Sequence, residues 1–131
     1  MRRLPVVVVL FAAWTAYVWA TRLSNLAGDD GDGWGRSMAI ALAATFVAIA
    51  AVVGVLWFRR RPALVPWVTA LAVLTIVVWL PRMVLLSGRD HSGAFKAVHI
   101  GLGMVSMALA VLARRAVNRG VVPSRSPAPS R

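Results

Sequence analysis

His99 is the side chain of this 131-residue sequence best suited to ligand or proton chemistry. It stands in the mostly apolar segment LysAlaValHisIleGlyLeuGly (96–103), with His91 in the preceding connection. Neutral imidazole binds haem iron or copper, and methionine thioethers are soft ligands for the same metals. Three methionines lie near enough in sequence to supply such a ligand: Met83, Met104 and Met107. A bis-histidine haem needs a histidine on each of two facing helices, so haem at His99 requires a second subunit or a methionine partner.

Three interpretations of His99 stay open. It is a ligand for haem b or copper, a proton relay or substrate contact, or a hydrogen-bond donor to a neighbouring helix. An ionisable group within a membrane span is a functional hypothesis by default, whereas a histidine near the interface often serves helix packing alone. Because no second histidine is positioned to complete a haem site, we assign no cofactor, metal or catalytic residue and keep His99 as a candidate position.

Arg22 and Arg82 each follow a tryptophan by three residues and close an apolar stretch. The favoured interpretation is an anchor, in which the long side chain reaches the lipid head groups while its stem stays in the hydrocarbon. The alternative pairs each arginine with the acid that follows it, Asp30 or Asp90. Such a pair would hold a loop over the mouth of a helix bundle or form a rim that attracts anions.

Four apolar stretches must form the elements that position these residues. They span residues 4–21, 37–58, 63–86 and 97–113, and their centres carry no charged group. A helix of about 20 apolar residues crosses a bilayer core about 30 Å thick. Hydrophobic residues make up 60% of the chain, which exceeds what a soluble domain of this size can bury. The sequence therefore predicts an all-α transmembrane four-helix bundle over residues 1–119 and a disordered, basic cytoplasmic tail over residues 120–131.

The net charge of +11 is distributed as membrane topology requires. All four acids fall in the first and third connections: Asp29, Asp30, Asp32 and Asp90. The second connection and both termini are rich in arginine, so the positive-inside rule places both termini in the cytoplasm of a multi-pass inner-membrane protein. Nucleic acid is excluded as a partner because topology already accounts for the arginines. Five of them are expected to attract anionic lipid head groups: Arg59, Arg60, Arg61, Arg114 and Arg115.

The chain also matches itself at an offset of 60 residues. The most specific matches are Trp19 with Trp79, Arg22 with Arg82, Gly28 with Gly88, Asp30 with Asp90, and Gly33 with Gly93. We interpret this as two tandem helix–loop–helix repeats, the first over about residues 1–60 and the second over about 61–119. Since each repeat holds two spans, both enter the membrane in the same direction and form a parallel repeat.

Tryptophans crowd the ends of the predicted spans. Trp14 and Trp19 lie in the last part of the first span, and Trp79 lies at the equivalent level of the third. Indole rings favour the head-group interface because one end is apolar and the N–H requires a partner. Most of these aromatic residues are therefore predicted to be interface anchors, with stacking against a ligand as the alternative.

The segment PheLysAlaValHisIleGlyLeuGlyMetValSer (95–106), with the Ala/Val/Arg-rich style of the chain and its single lysine, resembles small, uncharacterised four-helix integral membrane proteins of high-GC actinobacteria. The similarity covers mainly the last span and the connection before it. It implies an integral membrane protein and carries no activity.

The sequence lacks a phosphate-binding loop, a metalloprotease motif, a serine triad and any cysteine. The first functional hypothesis is therefore a non-enzymatic accessory or scaffold subunit of a membrane complex. The second is a small, possibly dimeric, transporter or channel with Arg22, Arg82 and His99 near its path. The third is a haem b or copper protein through His99. Partners beyond the bilayer are a homodimer or a larger membrane complex.

Overall fold

The chain folds into helices joined by short connections. In the computed structural model, which describes residues 5–28 and 33–121, the helices are α1 (Val6–Ala27), α2 (Trp34–Phe58), α3 (Leu64–Ser87) and α4 (Gly93–Val121). Within these ranges there is no β-strand. The prediction of an all-α fold with four long apolar helices is confirmed. Residues 122–131 of the predicted tail lie outside the described residues.

The helices extend beyond the apolar stretches that predicted them. α1 continues past Arg22 to Ala27, and α4 begins at Gly93 and continues past Arg114 to Val121. Apolar residues are needed only within the hydrocarbon core of the bilayer. A helix can continue beyond the core until its backbone hydrogen bonds and capping contacts end. Both arginines therefore lie within helices.

The helices pack in a ring. α1 contacts α2 and α4, and α3 contacts the same two neighbours from the opposite side. On each helix the residues that face the centre of the bundle are spaced three or four apart, so they form a narrow stripe on one face of the helix. In α2 the stripe consists of Ala43, Phe46, Ala50 and Val53, which are 0–3% exposed. The core between the helices includes Phe11, Phe46 and Leu71, each with no exposed surface.

Most of the remaining helix surface is apolar and exposed. In the most apolar window of each helix only 17–33% of residues are buried. Large side chains such as Tyr17, Val77 and Val98 are 59–67% exposed. A soluble protein rarely exposes such continuous apolar surface, but a bilayer solvates it. All four helices are long and apolar enough to cross a membrane, and the chain is a multi-pass membrane protein.

Two connections meet at one end of the bundle, which we call the loop end. There the Nε and Nη2 atoms of Arg36 donate hydrogen bonds to the carbonyl oxygen of Leu26, at 3.2 and 3.0 Å. Lys96 Nζ donates similarly to the carbonyl oxygen of Ser87 at 3.4 Å. A basic side chain at the start of one helix thus satisfies a carbonyl at the end of the preceding helix.

The opposite end, which we call the arginine end, holds the turn between α2 and α3. Arg60 adopts a left-handed conformation with φ 51°. Its N–H bonds the carbonyl of Trp57 at 3.1 Å, and the N–H of Arg61 bonds the carbonyl of Leu56 at 3.0 Å. This is the Schellman pattern of a helix C-terminus, in which the left-handed residue is usually glycine. The turn exposes the side chains of Arg59, Arg60 and Arg61, and α4 exposes Arg114 and Arg115 near the same end.

Candidate functional site

A cavity of about 240 Å³ lies at the loop end between α1, α3 and α4, and we call it the loop-end pocket. Its polar lining comes from Thr21, Arg22, Asn25, Arg82 and His99. Its apolar lining comes from Val18, Trp19, Trp79 and Leu102. Three of the residues that the sequence proposes, Arg22, Arg82 and His99, therefore surround one cavity although they lie on three different helices.

Two tryptophans form the apolar floor of the pocket. Trp19 and Trp79 are only 3% and 4% exposed. The Trp19 ring stacks on Phe46 with a centroid distance of 4.2 Å and meets Trp79 edge-on at 6.4 Å. The prediction that these two residues are interface anchors is wrong. The position of a residue along a helix gives the depth of its ring in the membrane, but contacts with neighbouring helices turn these two rings toward the core.

Gly103 makes room for this floor. A Cβ atom at Gly103 would lie 2.7 Å from Met83 Sδ and 2.9 Å from Trp79 Cε3. Those distances are far below normal van der Waals contact, so any side chain here would displace the indole. By contrast, a Cβ atom at Gly101 would meet nothing within 4 Å. Close packing of α4 against α3 therefore depends on Gly103 specifically.

The cationic wall consists of two arginines. The Arg82 guanidinium carbon lies 5.8 Å from the centroid of the Trp19 ring, a cation–π arrangement that holds the half-buried side chain over the floor. Arg22 is exposed on α1, and its positive charge acts on Arg82. Within residues 5–28 and 33–121, neither arginine forms an ion pair with a carboxylate. The two charges thus repel each other.

Of the two acids that the sequence offers as partners, only Asp90 is among the described residues. Asp90 is exposed in the connection before α4 and does not line the pocket. Asp30 lies outside the described residues. The pairing of Arg22 with Asp30 therefore stays a prediction.

His99 is oriented by its own helix. Its Nδ1 atom lies 2.9 Å from the carbonyl oxygen of Phe95, and the centroid of its ring lies 4.0 Å from the centroid of the Phe95 ring. Because a carbonyl oxygen only accepts hydrogen bonds, Nδ1 carries a proton and the neutral ring keeps its lone pair on Nε2. His91 is exposed and contacts the same phenylalanine at 4.9 Å. The described chain holds no group of three histidine, cysteine or acidic side chains able to bind a metal.

The pocket is rich in hydrogen-bond donors and poor in negative charge. The indole N–H of Trp79 is buried and has no acceptor among the described residues. Arg22, Arg82 and the Asn25 amide add further donors. Below the pocket, Trp14 Nε1 donates to Ser106 Oγ at 2.9 Å, which joins α1 to α4. An anion placed among these groups would accept hydrogen bonds and relieve the repulsion between the arginines.

Sequence reasoning identified the ionisable members of the site and missed its neutral ones. Thr21 and Asn25 lie one residue before and three residues after Arg22, on the same side of α1. Helical spacing was therefore a signal that could have found Asn25. The floor tryptophans and Gly103 had no such signal, because their roles depend on contacts between helices.

Comparisons with known proteins add no further information on the site. No family model matches the chain, no curated protein matches it, and no solved structure matches it.

Proposed function

We propose that this chain is a non-enzymatic membrane protein that binds an anionic group in the loop-end pocket. The observation that carries this proposal is the presence of two arginines, Arg22 and Arg82, around one cavity without a carboxylate partner among the described residues. Placing charge at membrane depth is costly, and such residues generally serve a ligand or a pathway. Two guanidinium groups match the acceptor oxygens of a phosphate or carboxylate.

Binding, rather than conduction, is the activity that this geometry favours. The pocket ends on Trp19 and Trp79, and a packed layer with the fully buried Phe11 and Leu71 lies further along the bundle. A channel or transporter would have to open this packed layer. Nothing in the site favours a haem b or copper protein over an anion-binding protein, since no second histidine faces His99. We infer that the protein acts as an accessory or scaffold subunit whose pocket holds an anionic component.

The proposed topology places the arginine end in the cytoplasm and the loop end on the other side of the inner membrane. It is supported by the exposed Arg59, Arg60, Arg61, Arg114 and Arg115. Exposed basic residues beside a bilayer attract anionic head groups, each contributing about 1 kcal/mol. The proposed tandem repeat is supported by burial: residues 8, 12, 15 and 19 of α1 and residues 68, 72, 75 and 79 of α3 are all buried.

The test uses the floor tryptophans as reporters. The full chain in detergent is titrated with inorganic phosphate and, separately, with dihexanoyl phosphatidylglycerol below its micelle concentration, while tryptophan fluorescence is followed. At least one of the two should give a saturable change, because Trp19 and Trp79 line the pocket. Arg22→Gln and Arg82→Gln should each weaken it about tenfold or more, the cost of losing one charge-assisted hydrogen bond.

Arg119→Gln is the matched control, since Arg119 is an exposed arginine near the other end of the bundle and is not among the residues proposed to attract lipid head groups. It should leave the titration unchanged. Saturable binding that the pocket variants and the control affect equally would contradict the proposal, and so would the absence of a saturable change with both probes.

A further inference from the structure

The geometry points to the phosphate ester of an anionic glycerophospholipid, rather than a soluble anion, as the occupant of the loop-end pocket. This inference rests on the proposed function and names the class of its ligand. It is carried by the depth of the arginines, by the mixed lining of the pocket, and by residues that differ on the opposite side of the bundle.

The basic residues at the loop end lie at two depths. Arg36 bonds the Leu26 carbonyl and therefore lies level with the end of α1. Arg22 precedes Leu26 by four residues, about 6 Å deeper at 1.5 Å per residue. Lys96 marks the end of α3 through the Ser87 carbonyl in the same way. The pocket thus opens one turn beneath an outer layer of positive charge.

This depth corresponds to the head-group boundary of a bilayer. The part of α1 before Arg22, residues 6–21, is about 24 Å long at 1.5 Å per residue, shorter than a hydrocarbon core of about 30 Å. The part of α3 before Arg82, residues 64–81, is about 27 Å long. When the arginine end lies at one boundary of the hydrocarbon core, Arg22 and Arg82 lie just inside the opposite boundary. Lipid phosphates and glycerol groups occupy that level.

The lining of the pocket suits an amphiphile. Its polar groups include Asn25 and Thr21, which can bond hydroxyl or ester oxygens, while Val18 and Leu102 form an apolar wall below them. On α1 the exposed Thr21, Arg22 and Asn25 continue into Tyr17, which is 67% exposed toward the surroundings of the bundle. A soluble anion would use only the polar half of this cavity. A lipid would also cover the apolar half and extend its acyl chains along the exposed helix surface.

The net charge of the lining selects among lipids. Among the described residues, the lining of the pocket includes two arginines and no carboxylate. An anionic head group satisfies this charge, whereas the ammonium of a zwitterionic head group would be repelled. A hydroxyl-bearing head group would in addition find hydrogen-bond partners in Asn25 and Thr21.

Only one such pocket is expected at the loop end. The positions that lie 60 residues away from Thr21, Asn25 and His99 are Pro81, Leu85 and Ala39. The polar residues that line the pocket where α1 faces α4 thus correspond to apolar residues where α3 faces α2. The arginines and tryptophans, by contrast, occur in both halves of the chain. One lipid should therefore bind tightly to each chain.

The test is native mass spectrometry of the delipidated full chain, equilibrated with equal amounts of dioleoyl phosphatidylglycerol and dioleoyl phosphatidylcholine. We expect one retained phosphatidylglycerol per chain. Arg82→Gln should reduce its occupancy about tenfold, and Arg119→Gln should not. The double variant Asn25→Leu, His99→Ala should also reduce it, and it places at these positions the residue types found 60 positions away, so folding is preserved; far-ultraviolet circular dichroism checks this.

The outcomes separate the two proposals. If phosphatidylcholine binds as well as phosphatidylglycerol, or if the pocket variants leave retention unchanged, the lipid inference is wrong. If inorganic phosphate alters tryptophan fluorescence in an Arg82-dependent manner but no lipid is retained, the lipid inference fails while the anion-binding function stands. If neither ligand binds, both fail.

Discussion

Gly103 sets how closely α4 approaches the floor of the pocket. Replacing it with alanine introduces a methyl group at 2.7 Å from Met83 Sδ and 2.9 Å from Trp79 Cε3. Met83 can move its flexible end, but Trp79 is held by Trp19. We expect Gly103→Ala to lower the free energy of unfolding by about 1–3 kcal/mol, as overpacking of a filled core does. Thermal unfolding in detergent, followed by circular dichroism, measures this.

Gly101 provides the control on the same helix, two residues away. Nothing lies within 4 Å of a Cβ atom there, and alanine is favoured over glycine inside a helix by about 0.5–1 kcal/mol. Gly101→Ala should therefore keep or raise stability. Equal destabilisation by both variants would mean that helix packing near Trp79 does not depend on Gly103.

At the scale of single residues, the sequence predicted chemistry better than it predicted contacts. Arg22, Arg82 and His99 were recognisable because ionisable groups are rare in apolar stretches. Trp19 was assigned to the lipid interface because an indole suits either a core or an interface, and composition does not distinguish them. Its stacking on Phe46 is decided by which face of α1 meets α2, and that requires the fold.

Among the helices, the end of α2 shows the clearest local strain. Arg60 has φ 51°, a region that costs a residue with a side chain about 1–2 kcal/mol. Arg60→Gly removes that cost while making the unfolded chain more flexible, which offsets about 0.5–1 kcal/mol. We expect a net rise of about 0.5–1 kcal/mol in the free energy of unfolding. Unfolding in detergent by heat measures it.

The control for Arg60→Gly is the same substitution at the preceding residue, Arg59. It has φ −79° and a right-handed helical conformation, so glycine there removes no strain. Arg59→Gly should lower stability by about 0.5–1 kcal/mol, with the same loss of charge as Arg60→Gly. If both variants behave alike, charge rather than backbone conformation controls the stability of the turn.

Helix number and type could be predicted because apolar length is a direct signal of a span. Helix ends could not. The apolar stretch of the fourth span covers residues 97–113, and the predicted domain ends at residue 119, yet the helix continues to Val121. The Schellman turn at Arg60 was equally hidden, since a left-handed arginine has no sequence signature comparable to glycine.

For the molecule as a whole, the proposed topology makes a direct prediction. A reporter inserted after Gly31 and one inserted after Arg60 should occupy opposite compartments, with the second in the cytoplasm, because α2 crosses the bilayer between them and arginine-rich connections stay inside. Phosphatase and fluorescent-protein fusions at each position measure this.

A chain in which Arg59, Arg60 and Arg61 are all changed to Gln is the informative variant for topology. Removing these charges should weaken or mix the orientation, whereas removing Arg114 and Arg115 should have less effect because the last span follows an orientation already established. If the two insertion sites report the same compartment in the native chain, the four-span topology is wrong.

The hairpin arrangement was predictable from the sequence, but the unequal sides of the bundle were not. The 60-residue match drew attention to what the two halves share, such as Trp19 with Trp79. The pocket depends equally on where they differ, as at Asn25 and Leu85. A difference between halves acquires meaning only when the helices that border it are known.

The bonds from Arg36 to Leu26 and from Lys96 to Ser87 have a consequence for assembly. Each joins two helices that are consecutive in the chain, so each pair of helices is tied together without help from the other pair. Cutting the polypeptide after Arg61 should then yield two fragments that insert separately and reassociate when produced together in one cell. During synthesis, the first pair can become ordered while the ribosome is still making the second.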